Sequence, residues 1–287
     1  MSPSSFEHAV ASVPGGEHLR SGKNCQDGVS VEIGNGFLVA VVCDGCGSSP
    51  HSETGAKLGA KLISADISGR LSTSCPPPDG VRLATIACHN AQRSLANLLG
   101  WFEPGEFSRT VQDYFLFSVV GLILSEKDDF CLVFSVGDGV FTHNGVISKI
   151  GPFKDNAPPY LGYAMLSGSA WWALPTNFSA ADALPQIRLS VEAKSVTSVA
   201  IGTDGAFGLM DAETRLMPGK SDTMGPMSQF WEKDVYFSNK DAMRRRLSMA
   251  AKDVKRAGKD GAIELSAGII PDDTTLVVVR RKKLDKQ

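Results

Sequence analysis

The chain has 287 residues, enough for one large domain or two small ones with a substantial buried core. Hydrophobic residues make up 43% and charged residues 21% of the sequence, as in ordinary soluble globular proteins. The formal net charge of −2 gives no reason to expect nucleic acid or an anionic membrane as a partner.

Targeting signals and membrane spans are not predicted. The N-terminal sequence MSPSSFEHAV lacks a basic head followed by an apolar core, so it does not have the pattern of a secretory signal. The longest apolar stretch, 114–124, is too short to span a bilayer. Six cysteines without such a signal indicate reduced thiols rather than a disulfide framework, and we therefore expect a cytoplasmic protein.

The first half of the chain predicts a strand followed by two long helices. The run GFLVAVVC at 36–43 is typical of a buried strand, and it ends at Asp44-Gly45. One helix is predicted to begin near Ser52, the next ends at Gly100, and CPPPDG at 75–80 joins them. The residues predicted on the buried faces of the two helices are Ala56, Ala60, Ile63 and Ile67, then Val81, Ala84, Cys88, Ala91, Leu95 and Leu98.

The second half begins with two apolar runs, 114–124 and 130–136, around a short charged loop, which predicts an antiparallel hairpin. Further strands are predicted at 196–202 and 275–281. Strands, two helices, strands, a helix and a last strand do not make a βαβ alternation. This order favours antiparallel sheets packed together with helices outside them.

A third helix is predicted over 241–257, with an apolar face and a basic outer face that we interpret as a solvated surface rather than a docking surface. Its predicted inward residues are Met243, Leu247, Ala250 and Val254. Its outer face carries Arg244, Arg245, Arg246, Lys252, Lys255 and Arg256.

Two stretches, 150–185 and 207–240, are rich in Pro, Gly, Ser and Met, and they are predicted to be loops or inserts on one domain. Within the first, PPYLGYAMLSGSAWW at 158–172 has the composition either of a docking or lid segment or of a buried loop.

The sequence VVCDGCGSS at 41–49 poses a choice between a thiol site and a carboxylate site. No second Cys-x-x-Cys or Cys/His cluster completes a zinc site, and the context is not thioredoxin-like. Cys43 is interpreted as the last buried residue of a strand and Cys46 as a turn residue. This pattern favours Asp44 as the functional group.

Four aspartates occupy similar settings at strand ends. Asp44, Asp138 and Asp204 each follow an apolar run and precede a glycine, and Asp272 directly precedes a strand. The glycine lets the backbone turn sharply close to a ligand. Carboxylates meeting at one edge of a sheet would suit Mg²⁺ or Mn²⁺, which take oxygen ligands. Asp-Gly is also a common turn dipeptide, and spacing alone does not show that these residues meet.

Five short motifs in this order resemble the metal-dependent serine/threonine protein phosphatases of type 2C, in a divergent bacterial-type branch. They are NCQDGVSV (24–31), VVCDGCGSS…ETGA (41–56), FSVGDGVF (134–141), AIGTDGAFGL (200–209) and PDDTTLVVV (271–279). The resemblance covers about residues 8–280 of a single domain, 1–287. It implies an α+β fold: a four-layer αββα sandwich with two central antiparallel sheets flanked by helices.

The resemblance also implies a centre of two Mn²⁺ or Mg²⁺ ions. Asp44 would bridge the ions, with the Gly45 carbonyl as a further ligand. Asp204 and Asp272 would bind the first ion. The nucleophile would be a water activated by the two ions and attacking phosphorus in line, without a phosphoenzyme.

Two further carboxylates would complete this centre. Asp27 would hold waters of the second ion. Asp138, together with Asp204, would support a weaker third ion.

Several positions depart from the family pattern. Cys46 stands where many members have a histidine that serves as a candidate general acid, and His18 or His51 would have to replace it. Gln26 stands where many members have glutamate, which would weaken the second metal site. Asp273 replaces a usual asparagine.

The phosphate-binding arginine of many members is also replaced, here by Gly22. Arg20 and Lys23 lie close in sequence, and Arg20 offers the bidentate geometry that lysine lacks. Among the predicted site residues, Asp44, His18 and Arg20 are therefore the candidate catalytic residues.

The function implied is that of a phosphoserine/phosphothreonine protein phosphatase acting on phosphoproteins, the targets of a cognate serine/threonine kinase. The losses just described slightly favour an alternative, a catalytically weak or inactive domain that binds a phosphoprotein, whereas the retained Asp44, Asp204 and Asp272 argue against it. A hydrolase of small phosphate esters is a third possibility. A haloacid-dehalogenase type of phosphatase is disfavoured, because no Asp-x-Asp-x-Thr follows an early strand.

Overall fold

The chain forms two large sheets, a small hairpin and eight helices in the part that the structure describes. A computed structural model describes residues 5–73, 79–100, 106–154, 157–166, 183–257 and 262–283. The strands are β1 (Phe6–Val13), β2 (Gly28–Gly34), β3 (Phe37–Gly45), β4 (Phe117–Ser125), β5 (Phe130–Val136), β6 (Gly139–His143), β7 (Val146–Ile150), β8 (Gln186–Val191), β9 (Ser198–Gly202), β10 (Val254–Ala257), β11 (Ile263–Ser266) and β12 (Thr274–Arg281). The helices are α1 (Gly16–Ser21), α2 (Ser52–Thr73), α3 (Gly80–Leu99), α4 (Phe107–Tyr114), α5 (Phe207–Asp211), α6 (Gln229–Glu232), α7 (Val235–Ser238) and α8 (Ala242–Ala251).

The two sheets are antiparallel and each has five strands. Their strand orders are β1-β12-β9-β6-β7 and β2-β3-β4-β5-β8. The first strand pairs with the last, so that Phe6 lies opposite Arg281. Both ends of the described chain therefore meet in one sheet.

The strand β3 is apolar along its length because both of its faces are buried. Val39, Val41 and Cys43 pack under α2 and α3. The alternate residues of β3 face the other sheet, where they meet β9 and β12. Alternation along a strand thus places the same element in two hydrophobic cores.

Helix α8 covers the outer face of the other sheet. Met243 and Leu247 pack there against Ala9, Ala11 and Val13 of β1. The layers are therefore helices, sheet, sheet and helices, and the predicted αββα fold is confirmed. Within the described residues, none of the helices has the length and apolar character needed to cross a membrane.

The third helix is shorter than the sequence predicts. Helix α8 ends at Ala251 because Lys252 adopts an extended backbone conformation. Residues 254–257 form β10, which pairs with β11, so Val254 lies in a strand rather than on a helix face. The basic outer face is also divided: Arg244 and Arg245 pair with Asp241, whereas Lys255 and Arg256 belong to the hairpin.

The strand predicted at 114–124 begins later, at Phe117, because Tyr114 ends helix α4, which the sequence did not reveal. The strand at 130–136 is confirmed. Helix α3 has its predicted core, but Val81 and Leu98 lie at its exposed edge.

The segment 158–172 is described only as far as residue 166. In that part, Leu161 and Leu166 are fully buried under α3 and α4, so it is a buried loop rather than a lid. The remainder, 167–172, and most of the linker at 75–80 lie outside the described residues.

Candidate active site

One cleft at the strand ends gathers the predicted aspartates. Its described lining consists of His18, Gln26, Asp44, Gly45, Gly47, Asp138, Pro158, Tyr160, Asp204, Asp272 and Asp273. These residues include five carboxylates but neither lysine nor arginine. The described lining of the cleft is therefore strongly acidic.

Asp44 and Asp138 both lie beside Ser118 of β4, the strand between β3 and β5. Asp44 lies near the end of β3, opposite Ser118 of β4. Ser118 also donates a side-chain hydrogen bond to Asp138. Gly137 and Gly139 on either side of Asp138 have φ angles of 83° and 143°, which other residues rarely adopt. These glycines let the chain cross from β5 to β6 with Asp138 at the cleft.

The other sheet contributes Asp204 and Asp272 from adjacent strands. Asp204 opens a 3-10 turn, Asp204–Ala206, directly after β9. Asp272 precedes β12, which pairs with β9. A Cβ on Gly205 would overlap the carbonyl oxygen of Asp273, so glycine is needed for the two segments to approach so closely.

The carboxylates raise each other's pKa values. Burial, followed by the charge of Asp204, raises the pKa of Asp138 to about 6 and that of Asp272 to about 6. Burial raises the pKa of Asp44 well above its usual range, and the charges of Asp27 and Asp204 add to the effect. Hydrogen bonds and the charge of His18 oppose part of these shifts, but no lysine or arginine is among the described lining residues to offset the repulsion.

Asp27 lies behind the cleft and is fully buried. Its Oδ2 accepts a hydrogen bond of 2.9 Å from the Thr203 hydroxyl. Its Oδ1 has no hydrogen-bond partner. Burial raises its pKa well above the usual range, although hydrogen bonds from Thr275 and Thr203 oppose the shift. A buried carboxylate oxygen without a donor is costly unless a cation or water satisfies it.

Asp273 has a role that the sequence did not reveal. Its carboxylate accepts hydrogen bonds from the backbone N–H of Gly15 at 2.7 Å and of Gln26 at 2.6 Å. It also lies 2.8 Å from Nδ1 of His18. Asp273 therefore holds the segment that carries His18, Gln26 and Asp27 against the cleft. Only its place beside Asp272 would have drawn attention to it.

Gln26 lines the cleft, and the protein engages only the nitrogen of its side-chain amide. Its amide nitrogen donates to the Ser49 carbonyl at 2.9 Å and to the Ser52 hydroxyl at 2.8 Å. Its Oε1 is buried without a hydrogen-bond partner.

The cysteines of the CDGC sequence belong to the core rather than to the cleft. Both Cys43 and Cys46 pack in the cluster under α2 and α3, and neither is in a disulfide bond. Burial raises the pKa of the Cys43 thiol well above its usual range, whereas for Cys46 burial is outweighed by hydrogen bonds with Ser48 and Tyr160, which lower its pKa. The geometry favours the carboxylate interpretation of this sequence.

The structure does not bring Arg20 or His51 to the cleft. The Arg20 guanidinium is 47% exposed and pairs with Asp253 at 3.0 Å, across the base of the β10–β11 hairpin. The His51 ring stacks on Tyr114, with 4.8 Å between ring centroids. His18 is the candidate general acid that lines the cleft.

The donor set fits a hard divalent cation. Carboxylates from both sheets meet in one cleft, and the buried Asp27 Oδ1 has no partner. Among the described residues, no three His, Cys, Asp or Glu side chains form a ready metal-binding group. An ion held in this cleft would therefore need water to complete its coordination, as Mg²⁺ does at many protein sites.

Comparison with known protein families shows the family to which this chain belongs. A sequence model of the family described as Protein phosphatase 2C matches residues 14–249, most of the chain. The chain belongs to the protein phosphatase 2C family. It is accordingly a hydrolase of the protein serine/threonine phosphatase class. No curated protein sequence matches it.

Solved structures are similar to this chain at low sequence identity. A bacterial serine phosphatase is 10% identical with a TM-score of 0.54, and the match covers 98% of this chain and 99% of that one. The photosystem II phosphatase PBCP is 16% identical with a TM-score of 0.48, covering 97% and 100% of the two chains. At this identity, the first match supports the fold alone.

Proposed function

We propose that this protein phosphatase 2C member hydrolyses phosphoserine and phosphothreonine in proteins at a centre of two Mn²⁺ or Mg²⁺ ions. The observation that carries the proposal is the convergence of Asp44, Asp138, Asp204 and Asp272 in one cleft whose described lining lacks a lysine or arginine. Packing alone does not require four strand-end carboxylates to share a cleft, and their mutual repulsion is relieved by divalent cations.

Each carboxylate has a role in this proposal. Asp44 would bridge the two ions, and the adjacent Gly45 carbonyl would be a further ligand. Asp204 and Asp272 would hold the first ion. When bound, the ions would activate water and stabilise the phosphoryl oxygens as Lewis acids.

The outer positions would hold their ions more weakly. Asp27 lies behind the cleft and would act on the second ion through waters. Asp138 and Asp204 would support a third ion. Gln26, whose amide is engaged with Ser49 and Ser52, would add no charge to the second site.

His18 is proposed to protonate the leaving alkoxide. Its Nδ1 is held at 2.8 Å from Asp273 Oδ2, which leaves Nε2 as the ring atom for the cleft. A carboxylate on one imidazole nitrogen orients the ring for proton transfer at the other. Among the described lining residues, no lysine or arginine takes the phosphate-binding role predicted for Arg20.

We further propose that one domain, 1–287 with a core of about 8–280, carries the activity, and that targets of a cognate serine/threonine kinase are its substrates. The pairing of β1 with β12 supports a single domain. The absence of a lysine or arginine from the described lining supports the alternative of a phosphoprotein-binding domain with little catalysis, because phosphate is usually bound by cations.

The test is Mn²⁺-dependent and Mg²⁺-dependent hydrolysis of a phosphothreonine peptide by wild type, Asp44→Asn and Asp204→Asn. Asp211→Asn, on the exposed side of α5, is the matched control. We expect turnover that requires metal, falls at least about 100-fold in the two cleft variants and is unchanged in the control.

Other outcomes reject the proposal in different ways. Absence of turnover in wild type with either metal supports the binding-domain alternative. Faster turnover of glycerol 3-phosphate than of the peptide supports a hydrolase of small esters. Turnover that survives both substitutions places the reaction outside this cleft.

A further inference from the structure

The hairpin of β10 and β11 presents an apolar face to solvent. Lys255 lies opposite Leu265 and Ala257 opposite Ile263, so these residues share one face. Ile263 is 74% exposed and Leu265 is 60% exposed. Two exposed branched apolar residues on the same face of a strand are unusual if that face contacts only water.

The opposite face of the hairpin rests on the body of the protein. Val254 and Arg256 lie on this face, and a Cβ on Gly219 would lie 2.8 Å from Val254 Cγ1 and 3.2 Å from Arg256 Nε. An isolated two-stranded hairpin is only marginally stable in water, so this packing supports it. The apolar face of Ile263 and Leu265 is turned outward.

The base of the hairpin is tied to the rim of the cleft. The Asp253 carboxylate accepts hydrogen bonds from the backbone N–H of Gly268 at 2.8 Å and from Arg20 at 3.0 Å. Arg20 lies on α1, the helix that carries His18 into the cleft. After β11, the chain passes through Ile270, whose carbonyl accepts from Gly16, and reaches Asp272. The hairpin and the cleft are thus built on the same short segments.

Charge distinguishes the hairpin from the cleft. The cleft is acidic, and its described lining has no lysine or arginine to attract a phosphoprotein. On and beside the hairpin, Lys252, Lys255 and Arg256 are exposed, against Glu264 and an Asp253 that already pairs with Arg20. The exposed side chains on and beside the hairpin therefore carry more positive than negative charge, in contrast to the cleft.

We propose that the hairpin face formed by Lys255, Ala257, Ile263 and Leu265 is the docking surface for the phosphoprotein substrate. Its occupant is a segment of the substrate that carries acidic residues together with branched apolar residues. Lys255 would attract the acidic residues, and Ile263 and Leu265 would bury the apolar ones. The inference rests on the proposed phosphatase function and names the class of substrate that it prefers.

The test compares two phosphothreonine peptides with the same central sequence. One carries flanks of eight alternating Asp and Val residues on each side, about 26 Å each when extended, and the other carries alternating Lys and Ser. Wild type is compared with the triple variant Lys255→Glu, Ile263→Ser and Leu265→Ser. The matched control is Ile33→Ser with Val146→Ser, which removes two equally exposed apolar side chains elsewhere.

We expect wild type and control to prefer the Asp/Val peptide about tenfold in kcat/KM, equivalent to about 1.4 kcal/mol. The triple variant should lose this preference and keep its turnover of p-nitrophenyl phosphate, which is too small to reach the hairpin. A preference that persists in the triple variant overturns the docking surface and leaves the phosphatase function intact.

Two further measurements separate the remaining outcomes. If wild type hydrolyses none of these substrates, the proposed function fails. Fluorescence anisotropy of the labelled Asp/Val peptide then decides the docking surface alone, and equal binding by wild type and triple variant overturns it. Sedimentation that shows a wild-type dimer converted to a monomer by the triple variant also overturns it, because a second copy then covers the face.

Discussion

At the scale of single residues, Asp273 links the two ends of the described chain at the cleft. It accepts hydrogen bonds from the backbone of Gly15 and Gln26 and contacts His18, while it begins the segment leading into β12. Its side chain is 3% exposed. If Asp273 is substituted, the buried groups that donate to its carboxylate all lose their acceptor at once.

Asp273→Asn should therefore destabilise the protein, although asparagine is the usual residue of the family at this position. The side-chain nitrogen of asparagine is a donor, and it would face the N–H donors that the carboxylate of Asp273 now accepts from. We expect a loss of about 1–3 kcal/mol in the free energy of unfolding. Urea denaturation measures it, with the exposed Asp211→Asn as control. A loss equal to that of the control would mean that the three contacts do not stabilise the fold.

Sequence reasoning located the aspartates whose position follows from a strand end, but not Arg20, whose direction depends on a distant partner. Asp44, Asp138, Asp204 and Asp272 end or begin apolar strands, and all four line the cleft. Arg20 was predicted beside them, but its direction is decided by Asp253, which lies far away in sequence. The metal-ligand roles assigned to Asp44, Asp138, Asp204 and Asp272 stay predictions.

At the scale of elements, the close approach of α2 to the start of β4 depends on glycine. A Cβ on Gly55 would overlap the backbone carbonyl oxygen of Tyr114 and lie 2.8 Å from the Phe115 Cα. Backbone atoms cannot move aside as a flexible side chain does. The contact holds α2 beside the segment that leads into Phe117.

Gly55→Ala should destabilise the protein by about 1–3 kcal/mol, even though alanine favours helices. Gly69→Ala on the same helix is the matched control, because no atom lies within 4 Å of its Cβ position. That control should stabilise the protein by up to about 1 kcal/mol. Thermal unfolding checks both, and stabilisation by both substitutions would contradict the packing described here.

Long apolar elements were predictable and short ones were not. The strand at 130–136 and the helix beginning at Ser52 match their predicted bounds. The helix predicted over 241–257 gives way to β10, because pairing with β11 outweighs the helical pattern of Val254. A four-residue strand whose partner lies beyond a loop has too little local pattern to be recognised.

At the scale of the whole molecule, the acidic cleft makes metal-free stability depend on pH. The pKa values of Asp138 and Asp272 are about 6, whereas their usual value is 3.8. Between these values the folded state holds protons that the unfolded state has released. Stability contributed by these groups is therefore present at low pH and is lost as pH rises through about 6.

In the presence of a chelator, the free energy of unfolding of wild type should fall between pH 5 and pH 7.5, relative to Asp138→Asn. The difference should be about 1–1.5 kcal/mol for one carboxyl, because only about one pH unit of the interval between its two pKa values lies above pH 5. Thermal unfolding at a series of pH values measures it. Parallel pH profiles for the two proteins would mean that burial and the neighbouring carboxylates do not raise the pKa of Asp138.

The most direct test of the proposed metal centre is a calorimetric titration of Mn²⁺ into wild type and Asp44→Asn at pH 6, in two buffers of different ionisation enthalpy. Wild type should bind Mn²⁺ and release protons, because carboxyls with raised pKa values must deprotonate to become ligands. Asp44→Asn should bind at least about tenfold more weakly. Equal binding by both proteins, or no binding by wild type, would contradict the metal centre on which the proposed function depends.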